Sequence, residues 1–427
     1  MPSTTPQLLI LGNGFDRHCD LPSSYETFFR QTILDTTTES FGIYQKQAGV
    51  SGFWEDLLLK YYTVYQNTDY RWSDVETIIK NTLWSICFGM NKLEPSLMQG
   101  IWHDAISYIS NNLNPESHVK NIDNPIDNYL FLCCYRFYYS QITQTILDYT
   151  PDSLQLLLKY LLKELHNFER RFCKYLKDNL VNPQDAQQIN TDYIIKAFNL
   201  LAKLTGFIDK PFNDINEIIH QERTTVVEQL SEIQRLVKTA QINVLSKEFS
   251  KLKYTQILSF NYTALFDLLE VESPCLYSNV HGKLCNESCK NDCNSSSIIF
   301  GIDDNLIQTE NSYFGLHIFS KTFRKMLDTS NPTSILPPNN VPLTIKFYGH
   351  SLSEADYSYF QSIFDYYDLY SNSKVNLIFY YSEGYEQTDA VYKLINSYGK
   401  TLSNKDQGKN LTHKLLLENR LKIEKIK

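Results

Sequence analysis

Residues able to do chemistry stand directly behind short apolar runs at four places in the chain. "LLIL" leads into Gly12-Asn13-Gly14-Phe15-Asp16, "ILSF" into Asn261, "SNV" into His281-Gly282, and "IKFY" into Gly349-His350-Ser351. Paired glycines after a strand let backbone N–H groups approach a pyrophosphate, and a following helix N-terminus favours negative charge. They also suit a plain tight turn. A third glycine at the dinucleotide spacing is missing, so the ordinary dehydrogenase fingerprint fails. An Asn at a strand end can orient a sugar hydroxyl or a water, or simply tie down a turn. Histidine titrates near neutral pH, so His281 suits a general base where geometry allows, although a lone His before a Gly is more often a satisfied structural residue. Gly349, His350 and Ser351 offer small residues and a hydroxyl to a phosphate or ribose.

These residues need a sheet to bring them together. The runs "QLLILG", "YTQILSFNY", "LYSNVHG", "SIIFGID", "LTIKFYGHS" and "VNLIFYY" read as buried strands flanked by turn or helix signals. Segments near 7–12, 254–260, 343–348 and 375–381 are expected in one largely parallel sheet, an α/β fold of Rossmann-like type. In such sheets ligands bind beyond the carboxyl ends of the strands. Between them the period becomes helical. Trp54, Leu57, Leu58, Tyr61, Tyr62 and Tyr65 form one stripe, Leu154 to Leu176 a second, and Val226 to Val244 a third. The organisation expected is a nucleotide-binding domain from 1–49 and 251–405, an almost wholly helical insertion over 50–250, and a C-terminal helix over 406–427 docked on the body of the protein.

The formal net charge of −8 weighs against broad binding to nucleic acid. No apolar run reaches the ~18 residues of a membrane span, and no signal peptide opens the chain. Nine cysteines, an odd number, suit a reducing cytoplasm better than a disulfide framework. Cys285, Cys289 and Cys293 follow His281 at spacings of four. Zinc needs four ligands. With Cys275 the candidate fourth, the alternative is a polar loop with free thiols, and no metal is expected. In "WSDVE", Trp72 is a packing residue, and Asp74 and Glu76 either cap and pair or line a pocket mouth.

Taken together, "GNGFD…LPSSYETF", "WSDVE", "SFNYT", "VHG", "FGID" and "GHSLSEADYSYF" resemble the AbiH family of bacterial abortive-infection proteins over nearly the whole chain. Asp20 stands where the family usually has Gly. More distantly the pattern is similar to sirtuin-like NAD-consuming domains, whose Gly-Ala-Gly, Asn, His-Gly and Gly-Thr-Ser-Leu fall on Gly12-Asn13-Gly14, Asn261, His281-Gly282 and Gly349-His350-Ser351-Leu352. Asn13 and Thr263 depart from that pattern. The resemblance implies an anti-phage effector that hydrolyses NAD at the nicotinamide–ribose bond. Asn261 and His281 would be catalytic, and Gly12, Asn13, Gly14, Phe15, Asp16, Gly349, His350 and Ser351 would bind the nucleotide. Two other readings stand beside it. One is a nucleotide sensor without turnover, whose helical insert signals to a partner or assembles a homo-oligomer. The other is an effector of different chemistry, such as nucleic-acid cleavage.

Overall fold

The computed structural model describes residues 5–29, 31, 52–55, 57, 75–83, 151–182, 185–189, 191–206, 254–264, 273, 275–284, 298–303, 315–327 and 334–426. The chain divides into two compact units. One comprises Met1–Ser23, Leu176–Asp292 and Ser330–Lys427, the other Ser24–Tyr175 and Cys293–Thr329.

The first unit is built on a six-stranded sheet. Its strands are β1 (Gln7–Leu11), β4 (Thr255–Ser259), β5 (Tyr277–Asn279), β6 (Leu343–Tyr348), β7 (Val375–Tyr381) and β8 (Leu421–Lys425), in the order β5-β4-β1-β6-β7-β8. Every pairing is parallel. The four strands expected from sequence all lie in it. All five residues of β1 are buried, as a strand covered on both faces requires.

Alternation along the strands sorts the two faces. Leu8, Ile10, Leu258, Phe260, Ile345 and Phe347 join the core formed with helices α6 (Tyr357–Tyr366), α7 (Thr388–Thr401) and α8 (Lys405–Leu417). Side chains of opposite parity turn to α1 (Gly14–His18) and α4 (Thr191–Thr205). There Gln7 Nε2 donates to Thr205 O at 3.1 Å and Lys346 Nζ to Leu204 O at 2.7 Å. The last carbonyls of a helix are its negative end, so the buried ammonium has a partner of the right sign. Burial still pushes the Lys346 pKa down to about 8.

Two elements differ from the sequence reading. The tail is not one helix: α8 stops at Leu417, the chain reverses at Asn419 (φ 54°), and β8 adds a sixth parallel strand beside β7. Arg420 fixes that return, donating to Val375 O at 2.8 Å and Leu369 O at 2.6 Å. The two-residue period of "LKIEK" is too short to stand out from the helical pattern before it. Within the span expected to be almost wholly helical, β2 (Val181–Asn182) and β3 (Asp185–Ile189) pair antiparallel.

In the second unit, α2 (Tyr25–Phe29) and α3 (Pro151–Leu180) supply much of the core. Leu158, Leu161, Leu165, Phe168 and Phe172 of the stripe on α3 are buried. Phe28 packs edge-on against Phe168 and Phe172, with centroids 6.0 and 5.1 Å apart. On the same helix, Glu169 is fully buried and holds Arg324 of α5 (Lys321–Met326) at 2.5 and 2.8 Å. Glu169 also accepts the Phe300 N–H at 2.7 Å, and Arg324 donates to Phe300 O at 2.6 Å. Phe300 of "SIIFGID" therefore satisfies its backbone on a buried ion pair. The segment makes an isolated bridge, Ile302 to Ser320, and adds no strand to the sheet. The third stripe, Leu58 to Tyr65, Trp72, Asp74, and Cys285, Cys289 and Cys293 lie outside the described residues. Among the described residues no helix is long and apolar enough to cross a membrane.

Removing one partner of a buried pair strands the other charge, at a cost of about 3–5 kcal/mol. Arg324→Met should therefore destabilise by that amount in urea unfolding. The double change with Glu169→Leu should recover most of the loss.

Candidate functional site

Four strands of the first unit end at one edge of the sheet, and each carries one of the segments singled out above. After β1 the loop of Gly12 and Gly14 lies against the loop after β6. Gly12 N–H donates to Tyr348 O at 3.0 Å, Gly14 N–H to Gly349 O at 2.8 Å, and Phe15 N–H to Gly12 O at 2.9 Å. A Cβ on Gly12 would stand 2.4 Å from His350 Cα, and one on Gly14 2.6 Å from Gly349 Cα. Gly349 (φ 71°) meets the Phe15 nitrogen in the same way, at 2.5 Å. The glycines are thus required by contact between two backbones, and these three amides are engaged within the protein. Asn13 closes the loop by donating to Ser23 O at 3.2 Å and Ser23 Oγ at 3.1 Å.

The turn sets Asp16 in the first turn of α1, almost wholly buried. Its carboxyl accepts from Thr263 Oγ1 at 2.7 Å, Tyr193 OH at 3.0 Å and Asn261 Nδ2 at 3.4 Å. Burial raises its pKa to about 6, against the opposing hydrogen bonds of Thr263, Tyr193 and Ser23. A carboxyl there titrates close to the pH at which general acids and bases work. Asn261 is equally fixed. Its N–H donates to Ser259 Oγ at 3.2 Å, and its carbonyl accepts from Asn279 Nδ2 at 2.7 Å. With Nδ2 held by Asp16, its buried Oδ1 has no hydrogen-bond partner among the described residues. Tyr193 escaped the sequence reading because it lies on α4, in a stretch whose clearest signal was helical period.

A second network follows β5 and β6. Gly282 (φ 80°) turns the chain after His281. His281 Nε2 lies 2.9 Å from Asp356 Oδ1, and His350 Nε2 lies 3.3 Å from Asp356 Oδ2. Phe260 meets both imidazoles edge-on, with centroids at 5.4 and 4.5 Å. Asp356 belongs to the segment "GHSLSEAD", yet its role depends on a three-dimensional meeting that spacing does not reveal. Ser351 is exposed.

Asn261 and His281 therefore follow neighbouring strands at one edge, but engage different partners. Phe260 and Asn261 are consecutive, and their side chains leave the chain on opposite sides. Phe260 packs on His281, whereas Asn261 turns to Asp16.

A family model described as "Bacteriophage abortive infection AbiH" matches residues 8–381, from β1 to the end of β7. The chain belongs to the AbiH family. It is an abortive-infection, anti-phage protein on that ground. No curated protein and no solved structure matches it. The AbiH match takes in both networks and ends before α7, α8 and β8.

Two outcomes are expected of this site. Gly14→Ala would press Cβ onto the Gly349 backbone, and overpacking of this kind costs about 3 kcal/mol or more when backbone has to move; urea unfolding measures it. For Asp16 the folded pKa of about 6 lies above the ordinary 3.8. Its stabilising share is complete below the lower value and is lost as pH rises through the higher one. The unfolding free energy of the wild type minus that of Asp16→Asn should fall by about 3 kcal/mol between pH ~3 and ~7.

Proposed function

We propose that this AbiH protein stops phage growth by hydrolysing NAD at the nicotinamide–ribose bond, at the carboxyl edge of its sheet. The observation that carries the reading is Asn261 Oδ1, a buried acceptor without a partner among the described residues, held at that edge by Asp16. Counted along the sheet strands alone, the order is 3-2-1-4-5-6, that of Rossmann-type nucleotide-binding sheets. The choice of NAD comes from the resemblance of Gly12-Asn13-Gly14, Asn261, His281-Gly282 and Gly349-His350-Ser351 to the sirtuin-like sequence pattern. In this reading Asn261 Oδ1 accepts a hydrogen bond from a ribose hydroxyl. His281, on its separate network, takes the proton of the attacking water as the water's oxygen bonds to the anomeric carbon. The C–N bond breaks through an oxocarbenium-like transition state, and nicotinamide leaves with the bonding pair.

A second reading is a nucleotide sensor without turnover. It is favoured by the separate partners of Asn261 and His281. Nicotinamide release from NAD by the purified protein separates the two. Asn261→Ala and His281→Ala should each lower the rate by ~10² or more with the fold intact, because misplaced groups cost about that much. Both should abolish protection of cells against phage. Protection by either variant without NAD turnover would establish the sensor in place of the enzyme.

A further inference from the structure

His350 sits where the sirtuin-like pattern would put a nucleotide-binding residue, yet its ring is occupied on both nitrogens. Nδ1 accepts the Leu352 N–H at 2.9 Å, so it carries no proton. The proton of the neutral ring is therefore on Nε2, which faces Asp356 Oδ2 at 3.3 Å. Leu352 has φ 55°, a left-handed conformation that costs a residue with a Cβ. The His350 ring thus bonds the amide of the residue that turns the chain from β6 toward Asp356.

Asp356 spends its other oxygen on His281. With Oδ1 at 2.9 Å from His281 Nε2, a carboxylate accepts and the imidazole donates. The neutral His281 ring is then the Nε2–H tautomer, and Nδ1 holds the lone pair. Both rings are nearly fully buried, and Phe260 packs edge-on against each. Tyr359 adds a further edge against His281 at 5.8 Å.

We infer that Asp356 is the positioning residue of this site: it selects the Nε2–H tautomer of His281 and presents Nδ1 as the working base, while His350 fixes the turn that delivers Asp356. His350 is then a structural residue, accepting from the Leu352 N–H and donating to Asp356, rather than a ligand contact. The catalytic consequence rests on the proposed NAD hydrolysis; the tautomer assignment does not.

Nitrogen-15 NMR of the histidine rings in the full chain tests it at neutral pH. In the wild type, the His281 and His350 rings should both show a protonated Nε2 and a bare Nδ1. In Asp356→Asn the amide can donate as well as accept, so His281 should shift toward the Nδ1–H tautomer while His350 Nδ1 keeps the Leu352 bond. A wild-type His281 protonated on Nδ1 alone would overturn the assignment, and this arm needs no variant to fold. An unchanged His281 tautomer in folded Asp356→Asn would overturn it too. If the wild type releases nicotinamide, Asp356→Asn should lower kcat by about 10²–10⁴ with KM little changed, the usual cost of a wrong tautomer or a lost base. Full kcat in that variant would remove Asp356 from the mechanism. A wild type that never releases nicotinamide would refute the proposed reaction and leave the tautomers to decide the inference.

Discussion

Everything at the carboxyl edge of the sheet depends on two stretches of backbone lying in contact. Gly12 and Gly14 touch Gly349 and the His350 backbone at distances that exclude any Cβ, and two hydrogen bonds hold them there. β1 and β6 are the adjacent strands on either side of the point where the chain switches from one half of the sheet to the other. Closing that point at backbone range fixes the start of α1, and with it Asp16. It also fixes the start of the turn that carries His350 and Asp356. One contact thus sets the positions of both polar networks.

Much of this was legible as hydrophobic pattern. A parallel strand buried on both faces is a short apolar run, so β1, β4, β6 and β7 stood out, and the residues behind them marked the candidate edge. The long stripe on α3 was legible for the same reason. β8 was not, because five residues of alternating charge and apolar character after a helix offer too little period. "SIIFGID" misled because apolar composition reports burial and not pairing: Phe300 gives its backbone groups to Glu169 and Arg324. At the edge itself, residue types were readable and partnerships were not. Asn261 and His281 were picked out one by one, but nothing in spacing tells that one meets Asp16 and the other Asp356. Tyr193 and Asp356 became visible only through contacts distant in sequence.

The two networks differ in kind. Around Asp16, hydroxyl and amide donors converge on one buried carboxyl, yet desolvation still outweighs them. Around Asp356, a carboxylate is shared between two imidazoles enclosed by aromatic edges. The first arrangement raises the pKa of one buried carboxyl to about 6. The second restricts ring orientation, because low surrounding polarity strengthens each bond that is made and penalises each that is lost.

Helix α4 is held at both ends. Its last carbonyls receive Gln7 and Lys346 at the amino edge of the sheet, and its first turn carries Tyr193 to Asp16 at the carboxyl edge. Its 15 residues make a rod roughly 22 Å long. A helix does not shorten to absorb a displacement, so it works as a strut between the two edges. Loss or neutralisation of the buried Lys346 ammonium would be transmitted along that strut to a carboxyl it never touches.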